Sequence, residues 1–544
     1  MNRSEKRVIR QLLEALLFEK LIPYKFNEDE FCMTCQDGSE MIVHGRKSAF
    51  GRIRLDIETI RGTDGTLTFK KILDALSIDD RFSDELKRTA NFSADSPVSD
   101  HRRKQTGDRL DSALSEGHPY HPSFKSRIGF SKKDHRCFGP EHGQSFPVMI
   151  AAFPKENSKQ SFADEQSFFR KEFGEKAEYW LKQCPDSHAL MPVHPWQWQR
   201  FEHELGAEGV TPIGFTDQHY FASQSVRTLW HPKQNHLKLS MNMKQTSSLR
   251  TIKPENALAA PHISDWLSGI VQSDPDLAGV KMLKEYASCA YESTRFSDGE
   301  FSAIWRERPE SFCIGNEYVV PMNALAVVEA DDLYPGHWLN RYGAVAWVRQ
   351  LVQCFVIPVL HLLIKHGVAI EAHAQNSLLV LEDGWPKRIM LRDFHDSVEY
   401  CHGFLADPAA LPDFDRIHPS FNNWELNEYY EMTSPDLLTE LITDTLFVYH
   451  LSDFSYALER HQYMKENRFW EIVHDEIGKW LQRHPDCQKR VNVAGLLKIN
   501  WTAESLLAAK WGVDQKIIVH NPFADQRERL IQHVSGRSKV IFNS

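Results

Sequence analysis

The sequence has no apolar run of bilayer-spanning length. The most apolar stretch, Leu351 to Ile364, is short and carries Gln353 and His361, so a buried helix is expected there. The first twenty residues mix charged and apolar positions (Arg7, Arg10, Leu12, Leu13, Leu16, Leu17). That pattern reads as an amphipathic helix and lacks the continuous apolar core of a signal peptide. The nine cysteines are odd in number and scattered, which fits a reducing cytoplasm and no disulfide framework. Cys32 and Cys35 form a C-x-x-C without a second pair, a weak basis for zinc or redox chemistry. Basic residues are outnumbered, 64 against 74 acidic, and the net charge of −10 argues against a duplex nucleic-acid partner. The sequence also lacks a glycine-rich phosphate loop, an evident Ser/His/Asp or Cys/His triad, and a repeat of solenoid length. Any nucleotide must therefore be held by side chains.

What is present is enough chain for two or three domains, since 544 residues exceed one ordinary core. A hairpin is expected over Glu30 to Ile60, with turns at Asp37-Gly38 and Gly45, and a solvated connection over 92–108. The segment His236 to Met243 alternates. Leu237, Leu239, Met241 and Met243 share one face of a strand, and Lys238, Ser240 and Asn242 share the other. From about Asn340 to Ala509 the pattern is mainly helical.

Three groups of residues carry chemistry. Gly117 to Arg127 crowds His118, His121, Lys125 and Arg127 onto a backbone stiffened by two prolines; alone it reads more readily as a surface turn than as a site. Ser225-Val-Arg-Thr228 recurs as Ser248-Leu-Arg-Thr251, with Lys238 between and Thr246 and Ser247 adjoining. Polyphosphates need such fixed cations and short hydroxyl donors, although a solvated hairpin has the same composition. The third group follows a long helix, about Asn340 to Lys365, ended by Gly367 as a left-handed cap. Glu371-Ala-His-Ala-Gln-Asn376 leads into a strand (Ser377 to Leu381), a turn at Asp383-Gly384, a second strand (Arg388 to Leu391) and Arg392-Asp393. One tight hairpin must bring the two polar ends together. Asn376 with Asp393 then suits Mg²⁺, which takes a few oxygen ligands plus substrate phosphates. His194-Pro-Trp-Gln197 reads as a packed loop, and Arg306 as a helix-surface charge.

Glu371, Asn376 and Asp393-Phe394 mimic a kinase-like layout, but His395 stands where kinases have glycine. A kinase-like phosphotransferase and a non-catalytic binder of an anionic metabolite are the alternatives to the following resemblance. Five motifs occur in order: G-H-P-x-H-P-x-x-K (117–125), H-P-W-Q (194–197), S-x-R-T (225–228), K with T-S-x-x-R-T (238, 246–251), and E-A-H-x-Q-N with R-D (371–376, 392–393). Together they resemble the NRPS-independent siderophore synthetases of the aerobactin-synthetase, IucA/IucC-like, type.

That resemblance implies an α+β fold shaped like a hand: a thumb over 1–140, fingers over 141–338, and a mainly helical palm over 339–544 with the 377–394 hairpin. It implies a cytoplasmic ligase that uses ATP and Mg²⁺ to adenylate citrate or a similar carboxylate, then joins it to an amine or alcohol. No nucleic-acid or membrane partner is implied, and a homodimer is open to it. Ser225, Arg227, Thr228, Lys238, Thr246, Ser247, Arg250, Asn376 and Asp393 are implied for ATP, the last two also for the metal. His118, His121, Lys125, Glu371, His373 and Gln375 are implied for the acid, with His118, Arg250 and His373 nearest the chemistry. A basic residue after a leucine pair is also expected near the C-terminus. Leu496 to Trp501 matches it poorly, which leaves the acceptor pocket open. Asp393→Asn is expected to cost activity and little stability.

Overall fold

The computed structural model describes residues 1–62, 67–97, 101–246 and 248–522. Ser247 of the phosphate-binding expectation lies outside them.

The chain opens with the helix Arg3–Phe18, started by a capping box in which Asn2 and Glu5 bond each other's backbone N–H. Its apolar stripe, Val8, Ile9, Leu12, Leu13, Leu16 and Leu17, is buried. The hairpin Glu30–Thr34/Glu40–Lys47 turns at Asp37-Gly38, where Gly38 has φ 83°. Gly45 is not a turn. It sits inside a strand, paired with Leu55, where any Cβ would collide with the Arg54 carbonyl. Nor is 92–108 wholly solvated, because Arg102 is buried and paired with Glu116 and Glu329 at 2.6 and 2.7 Å.

An eight-stranded antiparallel sheet forms the centre. Its order is Ser158–Gln160, Glu285–Tyr291, Phe301–Arg306, His236–Leu239, Thr228–Trp230, Thr211–Ala222, Ser145–Pro154, His188–Val193. One aromatic-rich core, including Phe153, Phe169, Trp180 and Trp305, packs against it. The alternation over 236–243 is present, but the chain changes sheets at Ser240. His236–Leu239 belongs to the large sheet, while Met241–Gln245 pairs with Ser248–Arg250. The Ser240 hydroxyl fills the break by accepting the N–H groups of Ile252 and Ser302.

The hairpin Ser377–Glu382/Trp385–Leu391 turns at Asp383-Gly384 (φ 52° and 85°), as its sequence dictates. Two earlier strands complete its sheet. Glu317–Pro321 runs antiparallel to Ser377–Glu382, and Val280–Met282 runs parallel to Trp385–Leu391. Upstream, the long helix begins at Ala344, because Gly343 (φ 79°) separates it from Gly336–Tyr342. It ends at Gly367, φ 78°, whose N–H bonds back into the last turn. Ala344–His366 has the length and hydropathy of a membrane span, yet 78% of its apolar window is buried inside the protein. It is a core helix.

Candidate functional site

Three segments bring cations to one place. Ser225–Thr228 is the turn between neighbouring strands of the large sheet, and it holds Val226 at φ 66°, a conformation that costs a β-branched residue energy. Thr246 (φ 57°) turns the small hairpin and presents Arg250. The Arg227 guanidinium donates to the Thr251 carbonyl, so the two Ser-x-Arg-Thr segments meet. Ser225, Arg227, Lys238, Ser248, Arg250 and Thr251 line a cavity of about 320 Å³ with Glu371, His373, Gln375, Asn376, Asp393 and Asp396. Thr228 does not line it. Its side chain is buried, and among the described residues its Oγ1 has no hydrogen-bond partner.

Asp393 is the hub. The hairpin register sets Ser377 opposite Leu391, and the Arg392 N–H donates to the Asn376 carbonyl at 3.1 Å, so the two polar ends do meet. Asp393 itself sits at φ 67°. Its Oδ1 accepts Lys238 Nζ at 2.8 Å and Arg306 at 2.7 Å. Burial opposes ionisation, but Arg306, Lys238 and Arg392 outweigh it and hold the carboxyl well below its ordinary range. Lys238, expected on the polar face of its strand, is thus a buried ion-pair partner, 3% exposed. Arg306 ends a buried strand, not an exposed helix. It also donates to His236 Nδ1 at 2.7 Å, and His236 Nε2–H donates to Asp108 at 2.6 Å. Glu285, fully buried, accepts the N–H groups of Phe394 and His395 at 3.0 Å each, which ties the turn to the central sheet.

A second cavity of about 400 Å³ shares Arg250, Glu371, His373 and Gln375 with the first and adds His118, His121, Thr246 and Tyr449. His118 and His373 are fixed alike. His118 Nδ1 accepts N–H groups from Tyr120 and His121 (3.1 and 3.2 Å), and His373 Nδ1 accepts from Gln375 and Asn376 (3.1 and 3.2 Å). With Nδ1 an acceptor, the neutral ring carries its proton on Nε2, a donor suited to a carboxylate. Burial, then His121, His373 and nearby arginines, keeps His118 neutral. His194 uses the same backbone contact only as a helix cap, packed between Phe138 and Phe146.

Lys125 lines neither cavity. Its ammonium pairs with Glu141 at 2.6 Å and bonds the Ser115 carbonyl at 2.8 Å, and Arg127 shares the same glutamate at 3.0 Å. Lys125→Met is expected to leave the KM for the acid unchanged while lowering unfolding free energy by about 2 kcal/mol, since Glu141 retains Arg127. Paired kinetics and urea denaturation check this.

Several site residues escape a sequence reading. Arg306, Asp396 and Glu285 act through partners far along the chain. Lys510 follows a different leucine pair, Leu506-Leu507, from the one expected. Its side chain is 3% exposed, pairs with Glu85 and donates to the Thr246 carbonyl, bracing the turn that carries Arg250.

With this geometry in place, comparison with known proteins is informative. Residues 106–327 match the IucA / IucC family, and residues 345–529 match a family described as ferric iron reductase FhuF-like transporter. A citryl-spermidine/3,4-dihydroxybenzoyl-citryl-spermidine:spermidine ligase of Bacillus anthracis is 32% identical, over 97% of this chain and 94% of that protein. An aerobactin synthase of Escherichia coli is 25% identical, over 91% of this chain and 90% of that one. The crystal structure of petrobactin biosynthesis protein AsbB from Bacillus anthracis superposes with TM-score 0.90 at 31% identity, covering 97% and 96% of the two chains. ATP-bound aerobactin synthetase IucA from Klebsiella pneumoniae superposes with TM-score 0.77 at 15% identity, covering 96% and 99%, a likeness of fold.

Proposed function

Because the chain belongs to the IucA/IucC family, we infer that it is a siderophore synthetase, a ligase that joins a carboxylate of citrate or a citryl derivative to an amine or alcohol at the expense of ATP. The observation that carries this reading is the pair of adjoining cavities that meet at Arg250, Glu371, His373 and Gln375. The smaller suits a triphosphate, with Arg227, Lys238 and Arg250 among short hydroxyl donors. The larger suits a polycarboxylic acid, with Arg250 and the Nε2–H groups of His118 and His373. The hand-like division into thumb, fingers and palm, and a cytoplasmic setting, belong to the same proposal.

In this reading a substrate carboxylate attacks the α-phosphate of ATP, pyrophosphate leaves, and the acceptor then displaces AMP from the acyl group. Crowding of negative charge is the barrier, so the arginines and Lys238 act by neutralisation and positioning. Asn376 and Asp393, with Asp396 beside them, would hold Mg²⁺. The donors that remain after Asp393 Oδ1 takes its two cations are all oxygens, which fits a hard ion. Bound there, Mg²⁺ would add charge neutralisation on the phosphates. Turnover is expected to form AMP and pyrophosphate in equal amounts. Stoichiometric ADP would favour the phosphotransferase alternative, and no nucleotide turnover with any acid and amine would favour a binding protein.

A further inference from the structure

One buried carboxylate ties together two distant segments that line the larger cavity. The short helix Gly107–Ala113 carries Asp108 and Asp111, one turn apart on one face. Asp108 supports Arg306 through His236. Asp111 is 0% exposed and borders neither cavity. Its Oδ2 accepts the Gln224 N–H at 3.0 Å, and its Oδ1 accepts a terminal N–H of Arg392 at 3.1 Å. The Arg392 Nε–H donates in turn to the Gln375 carbonyl at 2.9 Å. Gln224 and Gln375 both line the larger cavity. One follows the strand Thr211–Ala222, and the other precedes the hairpin Ser377–Glu382/Trp385–Leu391. Asp111 reaches 113 residues along the chain to Gln224 and 281 to Arg392.

Arg392 transmits the constraint. It is 3% exposed, and burial opposes its charge, but Asp111, then Asp393 and Asp108, outweigh burial and keep the guanidinium protonated. Two nitrogens of one rigid planar fork meet Asp111 and the Gln375 carbonyl, so fixing one arm fixes the other. Without the Asp111 charge, Asp393 becomes the main attraction, and the fork is free to turn away from the Gln375 peptide. A side chain that orients a substrate tolerates little displacement, since an error of about 1 Å can cost on the order of 10²-fold in rate. The Gln224 amide is anchored from the same helix, donating to the Ser112 carbonyl at 2.9 Å.

Resting on the ligase reading, we propose that Asp111 is a positioning residue of the acid pocket: through Arg392 it sets the Gln375 peptide, so that the Gln375 amide meets the acid in one orientation. Asp111 itself touches no substrate. Asparagine at that position keeps the shape but offers a single acceptor oxygen. Its NH₂ must then face either the Gln224 N–H or the Arg392 guanidinium, donor against donor. Asn376, on the triphosphate side, is held by the main-chain N–H of Arg392, which this substitution leaves alone.

Acid-dependent ATP–pyrophosphate exchange tests this, with citrate or its monobutylamide, whichever the unmutated protein turns over faster. Asp111→Asn is expected to raise the KM for the acid about tenfold, the scale of one hydrogen bond to an ionised group, and to change the KM for ATP less than about twofold. Gln375→Ala should raise the acid KM by a similar factor. The double variant should stay at about tenfold, short of the roughly 100-fold product of independent changes, because the peptide's orientation matters only while the side chain is present. KM is insensitive to partial loss of folded protein. Should Asp111→Asn fail to fold, Arg392→Lys takes its place in the cycle, since it keeps a cation beside Asp111 but has no second arm for Gln375. An unchanged acid KM, or a double variant at the full product, overturns the proposal and leaves the ligase reading intact. No exchange with either acid in the unmutated protein overturns the ligase reading, and the proposal with it.

Discussion

Arg250→Ala is expected to lower kcat/KM for acid-dependent ATP–pyrophosphate exchange by about 10²–10³-fold, some 3–4 kcal/mol, and to leave the melting temperature unchanged or slightly raised. The kinetic half follows from position, because Arg250 borders both cavities, where the acid and the triphosphate would meet. The stability half follows from its partners. Among the described residues its only side-chain bond is a 3.3 Å contact to Thr246 Oγ1, and its Nε has no partner there. Burial, with Arg227 close by, pushes its pKa down to about 10, the mark of a cation the folded protein disfavours. Removing it relieves that cost. Normal exchange in the alanine variant, or collapse of its folding, would contradict the assignment.

Asp393→Asn should behave differently, losing both activity and stability. One carboxylate oxygen compensates two buried cations, Lys238 and Arg306, which are 3% and 1% exposed. Neutralising it strands both, at a cost of about 3–5 kcal/mol, the range for breaking a buried ion pair from one side. The sequence alone led to an expectation of little stability change, because asparagine keeps the shape of aspartate and removes one charge. The burial of Lys238 reverses that. Exchange should fall by at least about 100-fold, since the proposed metal ligand and the anchor of the proposed phosphate cations go together. The double variant Lys238→Met/Asp393→Asn should regain part of the stability and none of the activity. Urea denaturation with exchange kinetics reads both. An Asp393→Asn protein of unchanged stability would mean that the charges are solvated, not buried.

Legibility followed range along the chain. The hairpin Ser377–Glu382/Trp385–Leu391 was readable because Asp383-Gly384 fixes a two-residue turn, and a tight turn leaves no choice about which ends meet. The Leu237–Met243 alternation was readable because strand faces have period two, although nothing in it signals the change of sheet at Ser240. Arg306 was misread because its partner lies 87 residues ahead, and a strand ending in arginine resembles a helix surface when seen alone. Lys510 reaches Thr246 across 264 residues. Lys125 shows the converse. Set among His118, His121 and two prolines it reads as a ligand-binding cation, and only the packing of Glu141 against it gives it a structural partner. Short motifs specify which groups are available, whereas long-range burial decides which of them remain free to act.

Acyl transfer through an adenylate is the central claim, and the fate of a carboxylate oxygen tests it most directly. Citrate labelled with ¹⁸O in its carboxylates is turned over with ATP and a diamine, and the released nucleotide is analysed by mass. The account predicts one labelled oxygen in the phosphate of each AMP, carried there when the carboxylate attacks the α-phosphorus and the acceptor later cleaves the acyl C–O bond. Label in inorganic phosphate beside ADP, or unlabelled AMP, would contradict it.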